Sequence, residues 1–198
     1  MYAKDGALFT PRTWFLFRHM GHKKTSLLQG SLEEWIEAGG PIDTEPTTVP
    51  YAKDILAAST SSDEPPSYQV SKRDNVVDME GMMNAVTKGD AIILDPRGSS
   101  FAFGHIPGAI HIPYSSLVCQ DSALKLKSRE ELEAIFEAAG VNVWTDQNII
   151  STCGSGVSVC HIVLALEECG RMDNTFIYDG SWAEWGSDPD TPKVLPQQ

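Results

Sequence analysis

The chain has 198 residues, with 27 acidic against 15 basic side chains and a formal net charge of −12. A hydrophobic fraction of 41% supports a packed core, and the length suits one domain of common size plus an extension, or two small ones. The charge excludes a groove-tracking nucleic-acid binder, because the densest basic stretches, "HKK" at 22–24 and "SKR" at 71–73, are too short to neutralise a run of phosphates.

No window approaches the ~20 apolar residues of a membrane-spanning helix, so no membrane partner is expected. The N-terminal stretch "MYAKDGALFTPRTWFLFRHMGHKK" lacks a secretory layout, with charged residues and proline where an apolar region should be. Thr10 before Pro11 predicts a helix N-cap with proline at the first helical position, and a helix through "RTWFLFRHM" that stops at Gly21. "TSLLQG" (25–30) reads as a short buried strand. Ser31 and Glu34 have the spacing of a capping box for "LEEWIEA", closed by Gly39, Gly40 and Pro41.

Residues 41–67 are rich in Pro, Ser, Thr and acids and read as an exposed linker, with a short helix around "YAKDILAA". A second unit, 68–198, begins near Tyr68. "DMEGMMNAVTKG" predicts a helix, "AIILD" (91–95) a buried strand, "PRGSS" a turn, and "GHIPGAIHIP" (104–113) a turn and strand. Ser128 and Glu131 form a second capping box for a helix ending at Gly140. "NIIST" (148–152) is a strand, "GVSVCHIVLALEECG" a helix, and "TFIYDG" (175–180) the last strand. Strands alternating with helices predict an α/β fold with a mainly parallel sheet covered by helices on both faces.

The chain carries Cys119, Cys153, Cys160 and Cys169, with no CxxC pair. That argues against a zinc site, a thioredoxin-type motif or a disulfide framework, and favours a reducing compartment. Cys153 is special. It sits between a strand and a helix, in Cys153-Gly154-Ser155-Gly156-Val157-Ser158, at a carboxyl end of a strand, where open α/β sheets collect their chemistry. Glycines let such a loop curl so that backbone N–H groups converge, and a helix starting near Val157 adds its unpaired N–H groups and positive dipole end. A free thiol has a pKa of about 8.5, and a helix N-terminus lowers it to about 7 or below. Cys153 is therefore the candidate nucleophile, with a buried structural cysteine as the bland alternative.

"CGSGVS", "LDPR…GHIPGAIHIPYSSL" (94–117) and "YDGSWAEWGSDPDTP" (178–192) together resemble the tandem-domain rhodanese family of sulfurtransferases, and the CGSGV form is similar to its 3-mercaptopyruvate branch. Residues 2–41 resemble the second half of the first domain of such enzymes. The resemblance implies a catalytic rhodanese domain over 68–198, a linker over 41–67, and an incomplete half domain over 1–40. That half domain is expected either to be less stable than the rest or to cover the catalytic domain.

The resemblance also implies chemistry. A sulfane sulfur would pass from 3-mercaptopyruvate or thiosulfate through a Cys153 persulfide to cyanide, a small thiol or thioredoxin, with no cofactor and no metal. Gly154, Ser155, Gly156, Val157 and Ser158 would bind the small anionic donor, Ser155 matching the serine that assists the mercaptopyruvate enzymes. Arg97 would hold the donor's carboxylate, a pairing suited to a guanidinium; its bland readings are a solvated arginine or a pair with Asp95. The second arginine that mercaptopyruvate members carry is missing, because "GSSFAFGH" follows Arg97. A cytoplasmic or mitochondrial location follows from the same likeness. The competing readings are a non-catalytic or low-activity module that binds a partner or carries persulfide, and a phosphatase, whose loop would need an arginine where Ser158 and Val159 stand.

Overall fold

The structure is a computed structural model that describes residues 1–2, 8–45, 70–119 and 125–196. The expected helix around "YAKDILAA" and most of the expected linker lie outside the described residues. No described helix is long and apolar enough to cross a membrane.

The strands are β1 (Val76–Val77), β2 (Ala91–Asp95), β3 (Ala109–His111), β4 (Asn148–Ser151) and β5 (Thr175–Tyr178). They form one sheet in the order β1-β5-β4-β2-β3, every pair parallel. The register sets Ile93 beside Ile150 and Leu94 beside Ser151. The chain leaves β2 toward β3 and leaves β4 toward β5, in opposite directions. The gap between the carboxyl ends of β2 and β4 is thus the topological switch point, where a parallel sheet opens a crevice.

The helices are α1 (Thr10–His19), α2 (Leu32–Glu37), α3 (Met79–Lys88), α4 (Tyr114–Leu117), α5 (Arg129–Ala138), α6 (Val159–Glu168) and α7 (Ser181–Trp185), with a 3₁₀ turn over Ser99–Phe103. Successive strand residues face opposite sides, so each face has its own core. Leu94 and Ile149 pack with Leu132, Phe136, Ile162 and Leu166 on one side. Ile93, Ile150 and Tyr178 pack with Met82, Ala85 and Trp185 on the other. Both capping boxes form, Ser31 with Glu34 and Ser128 with Glu131.

The N-terminal block departs from expectation in two places. Phe9, not Thr10, holds the N-cap position of α1, with no side-chain cap bond, and Pro11 lies inside the first turn. "TSLLQG" forms no strand. A strand needs a ladder partner for its N–H and C=O groups, and both edges of the described sheet belong to other segments. α1 itself is firmly attached. Trp14 and Phe15 are buried in a cluster with Val159, Cys160 and Val163 of α6 and Ile177 of β5. Burying a large apolar side chain contributes about 1.5–3 kcal/mol. α6 is buried at seven of its ten positions, because the sheet covers one side and α1 another.

Candidate active site

Cys153 follows β4 at the switch point, and α6 begins at Val159 rather than near Val157. Ser158 takes the N-cap position in an αR conformation, and its side chain makes no cap bond. Its hydroxyl favours the Cys153 thiolate instead. Burial pushes the Cys153 thiol up. Hydrogen bonds from the Ser158 hydroxyl, the N–H groups of Ser155 and Val159, and the Ser181 hydroxyl outweigh it and bring the pKa below its ordinary value. The residue is 1% exposed. The candidate nucleophile is thus nearly sealed from solvent, yet favoured as thiolate.

The loop is shaped from behind. Ser181 Oγ accepts the Cys153 N–H at 3.2 Å and the Gly156 N–H at 3.1 Å. Its own proton has two acceptors in reach, the Tyr178 carbonyl at 3.0 Å and the Cys153 sulfur at 3.8 Å. The Trp182 and Ala183 N–H groups at the start of α7 bind the Cys153 and Gly154 carbonyls, each at 2.9 Å. With the Gly154 carbonyl drawn toward α7, the N–H on the opposite side of that peptide, that of Ser155, is left for the sulfur. Ser155 is exposed, and Gly154 and Val157 are half-buried. Gly156 is buried at φ +78, and a Cβ there would stand 2.4 Å from Asp179 Oδ1. Only glycine fits that position.

Arg97 reaches the same crevice, since a Cβ on Gly154 would touch its Cδ at 3.9 Å. It is buried and largely committed. Its Nε bonds both Asp95 oxygens at 3.0 and 2.9 Å, and its Nη2 bonds Asp95 at 2.8 Å and the Gly104 carbonyl at 2.8 Å. Its guanidinium carbon lies 5.2 Å from the Trp182 ring centroid. The solvated-arginine reading is therefore corrected, because a buried guanidinium needs its carboxylate partner. Among the described residues, these bonds leave Nη1 unengaged.

The profile of the "Rhodanese-like domain" matches residues 78–188, more than half of the chain. The chain belongs to the rhodanese family. It is 35% identical to thiosulfate sulfurtransferase of Bos taurus over 189 residues, which cover 91% of this chain and 59% of that protein. It is 33% identical to human 3-mercaptopyruvate sulfurtransferase over 188 residues, 92% of this chain and 60% of that one. The solved structure of the 3-mercaptopyruvate sulfurtransferase SseA from Escherichia coli superposes with a TM-score of 0.70 at 29% identity, covering 90% of this chain and 64% of that one. The chain thus spans about three fifths of the length of its curated relatives.

One site residue lies outside the rhodanese match. Arg12 of α1 bonds Asp179 Oδ1 at 2.6 Å and the Gly156 carbonyl at 3.2 Å, both through Nη1. No sequence motif signals it, because 144 residues separate it from Gly156. Cys160 and Cys169 contrast with Cys153. Burial pushes Cys160 up to about 12 and Cys169 up to about 11. His105 stacks on Phe101 with ring centroids 4.0 Å apart, and its Nδ1 faces the Phe101 carbonyl. These contacts hold the turn before β3.

Proposed function

We propose that this protein is a sulfurtransferase that moves one sulfane sulfur through Cys153, from a small anionic donor of the 3-mercaptopyruvate or thiosulfate kind to a thiol or cyanide. The donor ring around the Cys153 sulfur carries this reading: it favours the thiolate despite burial. The thiolate attacks the outer sulfur of the donor, forming an S–S bond. With mercaptopyruvate the C–S bond breaks, its electron pair leaves on carbon as the pyruvate enolate, and the sulfur-bound proton stays on the persulfide. With thiosulfate the S–S bond breaks and sulfite leaves. An acceptor thiolate then takes the outer sulfur, and the Cys153 thiolate is restored.

Gly154, Ser155, Gly156, Val157 and Ser158 form the cradle for the donor, with Nη1 of Arg97 offered to its carboxylate. The described cysteines are all free, which suits a reducing cytoplasmic or mitochondrial compartment and a thiol acceptor. Because Cys153 is 1% exposed, turnover requires transient opening of its cover. The same burial favours a second reading, a low-activity module that carries persulfide or binds a partner. Incubation with each donor, followed by peptide mass spectrometry, decides. The expected result is an adduct of one sulfur atom on the Cys153 peptide, absent in Cys153→Ser. No adduct with either donor contradicts the proposal.

A further inference from the structure

We propose that Arg12 is a positioning residue for the catalytic loop, so that α1 forms part of the active site. Gly156 lies at the middle of the loop, between Ser155, whose N–H faces the sulfur, and Ser158 and Val159, which supply the next two donors. Both polar groups of Gly156 are held. Its N–H goes to Ser181 Oγ at 3.1 Å, and its carbonyl accepts from Arg12 Nη1 at 3.2 Å. The same Nη1 binds Asp179 Oδ1 at 2.6 Å. The bare Cα of Gly156 is what lets Asp179 approach, since a Cβ would stand 2.4 Å from that oxygen. Arg12, Asp179 and Gly156 therefore form one three-way contact.

The mount of Arg12 is rigid. Pro11, Trp14 and Phe15 are buried against α6 on the same face of α1. One turn further, Arg18 pairs with Glu167 of α6 at 2.7 Å, and His19 Nδ1 lies 2.6 Å from Asn75 Oδ1. These attachments fix where the guanidinium stands, and through it where the Gly156 peptide points.

Its charge acts as well. Among the described residues, the ionisable groups around the loop are Arg12 from α1, Asp179 from the turn after β5, Cys160 and His161 from α6, and the Arg97–Asp95 pair at the end of β2, with His161 held neutral by burial. With Arg97 committed to Asp95, Arg12 is the cation that offsets Asp179 beside the Gly156 peptide of the loop. Losing it would leave a carboxylate facing a site that must hold negative charge.

The inference rests on Cys153 being the reactive thiol, and its test needs no sulfur donor. Arg12→Gln and Arg12→Lys are made in the full chain. The rate of iodoacetamide labelling at Cys153 is followed against pH by peptide mass spectrometry, with Cys119 as the internal comparison and melting temperature as the folding control. In Arg12→Gln the Cys153 midpoint is expected to move up by about one pH unit, an up to roughly tenfold loss of thiolate at pH values below the midpoint. Cys119 should not move, and Arg12→Lys should recover most of the shift. An unchanged midpoint, equal shifts in both variants, or two variants that fail to fold would each overturn the positioning role. A shifted midpoint without any persulfide in the wild-type protein would leave this inference standing and remove the sulfurtransferase proposal.

Discussion

Ser181 combines a strained backbone with a hydroxyl that serves the loop, and two substitutions separate the roles. Its φ is +56, in the left-handed region, which costs a residue with a Cβ about 1–2 kcal/mol. Its Oγ is the acceptor for two buried N–H groups, those of Cys153 and Gly156. An orphaned buried donor costs about 1–3 kcal/mol, so Ser181→Ala is predicted to destabilise by about 2–4 kcal/mol after partial relaxation of the loop. Ser181→Gly loses the same acceptor but relieves the left-handed strain, and is predicted to be about 1 kcal/mol more stable than the alanine variant. Both remove one hydrogen bond to the sulfur, so both should move the Cys153 labelling midpoint to higher pH. Urea denaturation gives the first pair of numbers and pH-dependent alkylation gives the second. Alanine as stable as serine, or alanine more stable than glycine, would refute the reasoning.

His161 is buried, and desolvation, partly offset by the Ser158 carbonyl, pushes its pKa down to about 4. Its folded pKa lies below the ordinary value of about 6.5, so the unfolded chain takes the proton first. The contribution to stability is complete above about pH 6.5 and is lost as pH falls toward 4, up to about 3 kcal/mol; His161→Gln should flatten that stretch of a urea-midpoint curve. Arg171 donates to the Val143, Thr145, Gln147 and Asn174 carbonyls and so ties the 143–147 turn to the start of β5. Arg171→Met is predicted to cost about 3 kcal/mol or more in chemical denaturation. Trp14→Ala, which opens the α1–α6 interface, should cost about 3–5 kcal/mol and raise hydrogen exchange across α1 before the central strands are affected.

The strongest local signals read true, although the Thr10-Pro11 cap does not form as expected. The two capping boxes need only a serine and a glutamate three residues apart, and both form. The runs "AIILD", "NIIST" and "TFIYDG" are apolar because parallel strands are covered on both faces, and each yields a strand. Cys153 between a strand and a helix is likewise legible, since glycine spacing and strand-end position are sequence properties. What escaped depends on partners. "TSLLQG" has strand composition, but among the described residues it bonds Met1 and joins no sheet. β1 holds two residues, too few for any periodic signal, and exists by pairing with Ile177 and Tyr178. The left-handed backbone of Ser181 has no sequence signal, since serine is not a residue that favours it. Arg12 carries no local mark at all, because its role is set by the packing of Trp14 and Phe15 far along the chain from the loop it touches.

The claim on which the chemistry rests is that hydroxyl and main-chain donors overcome burial at one sulfur. The ultraviolet thiolate absorbance of the native protein, titrated with pH and corrected by the same titration of Cys153→Ser, measures it directly. The account predicts a difference curve with its midpoint below the roughly 8.5 of a free thiol. A midpoint at or above that value would mean that burial wins, and that Cys153 is an ordinary sealed cysteine.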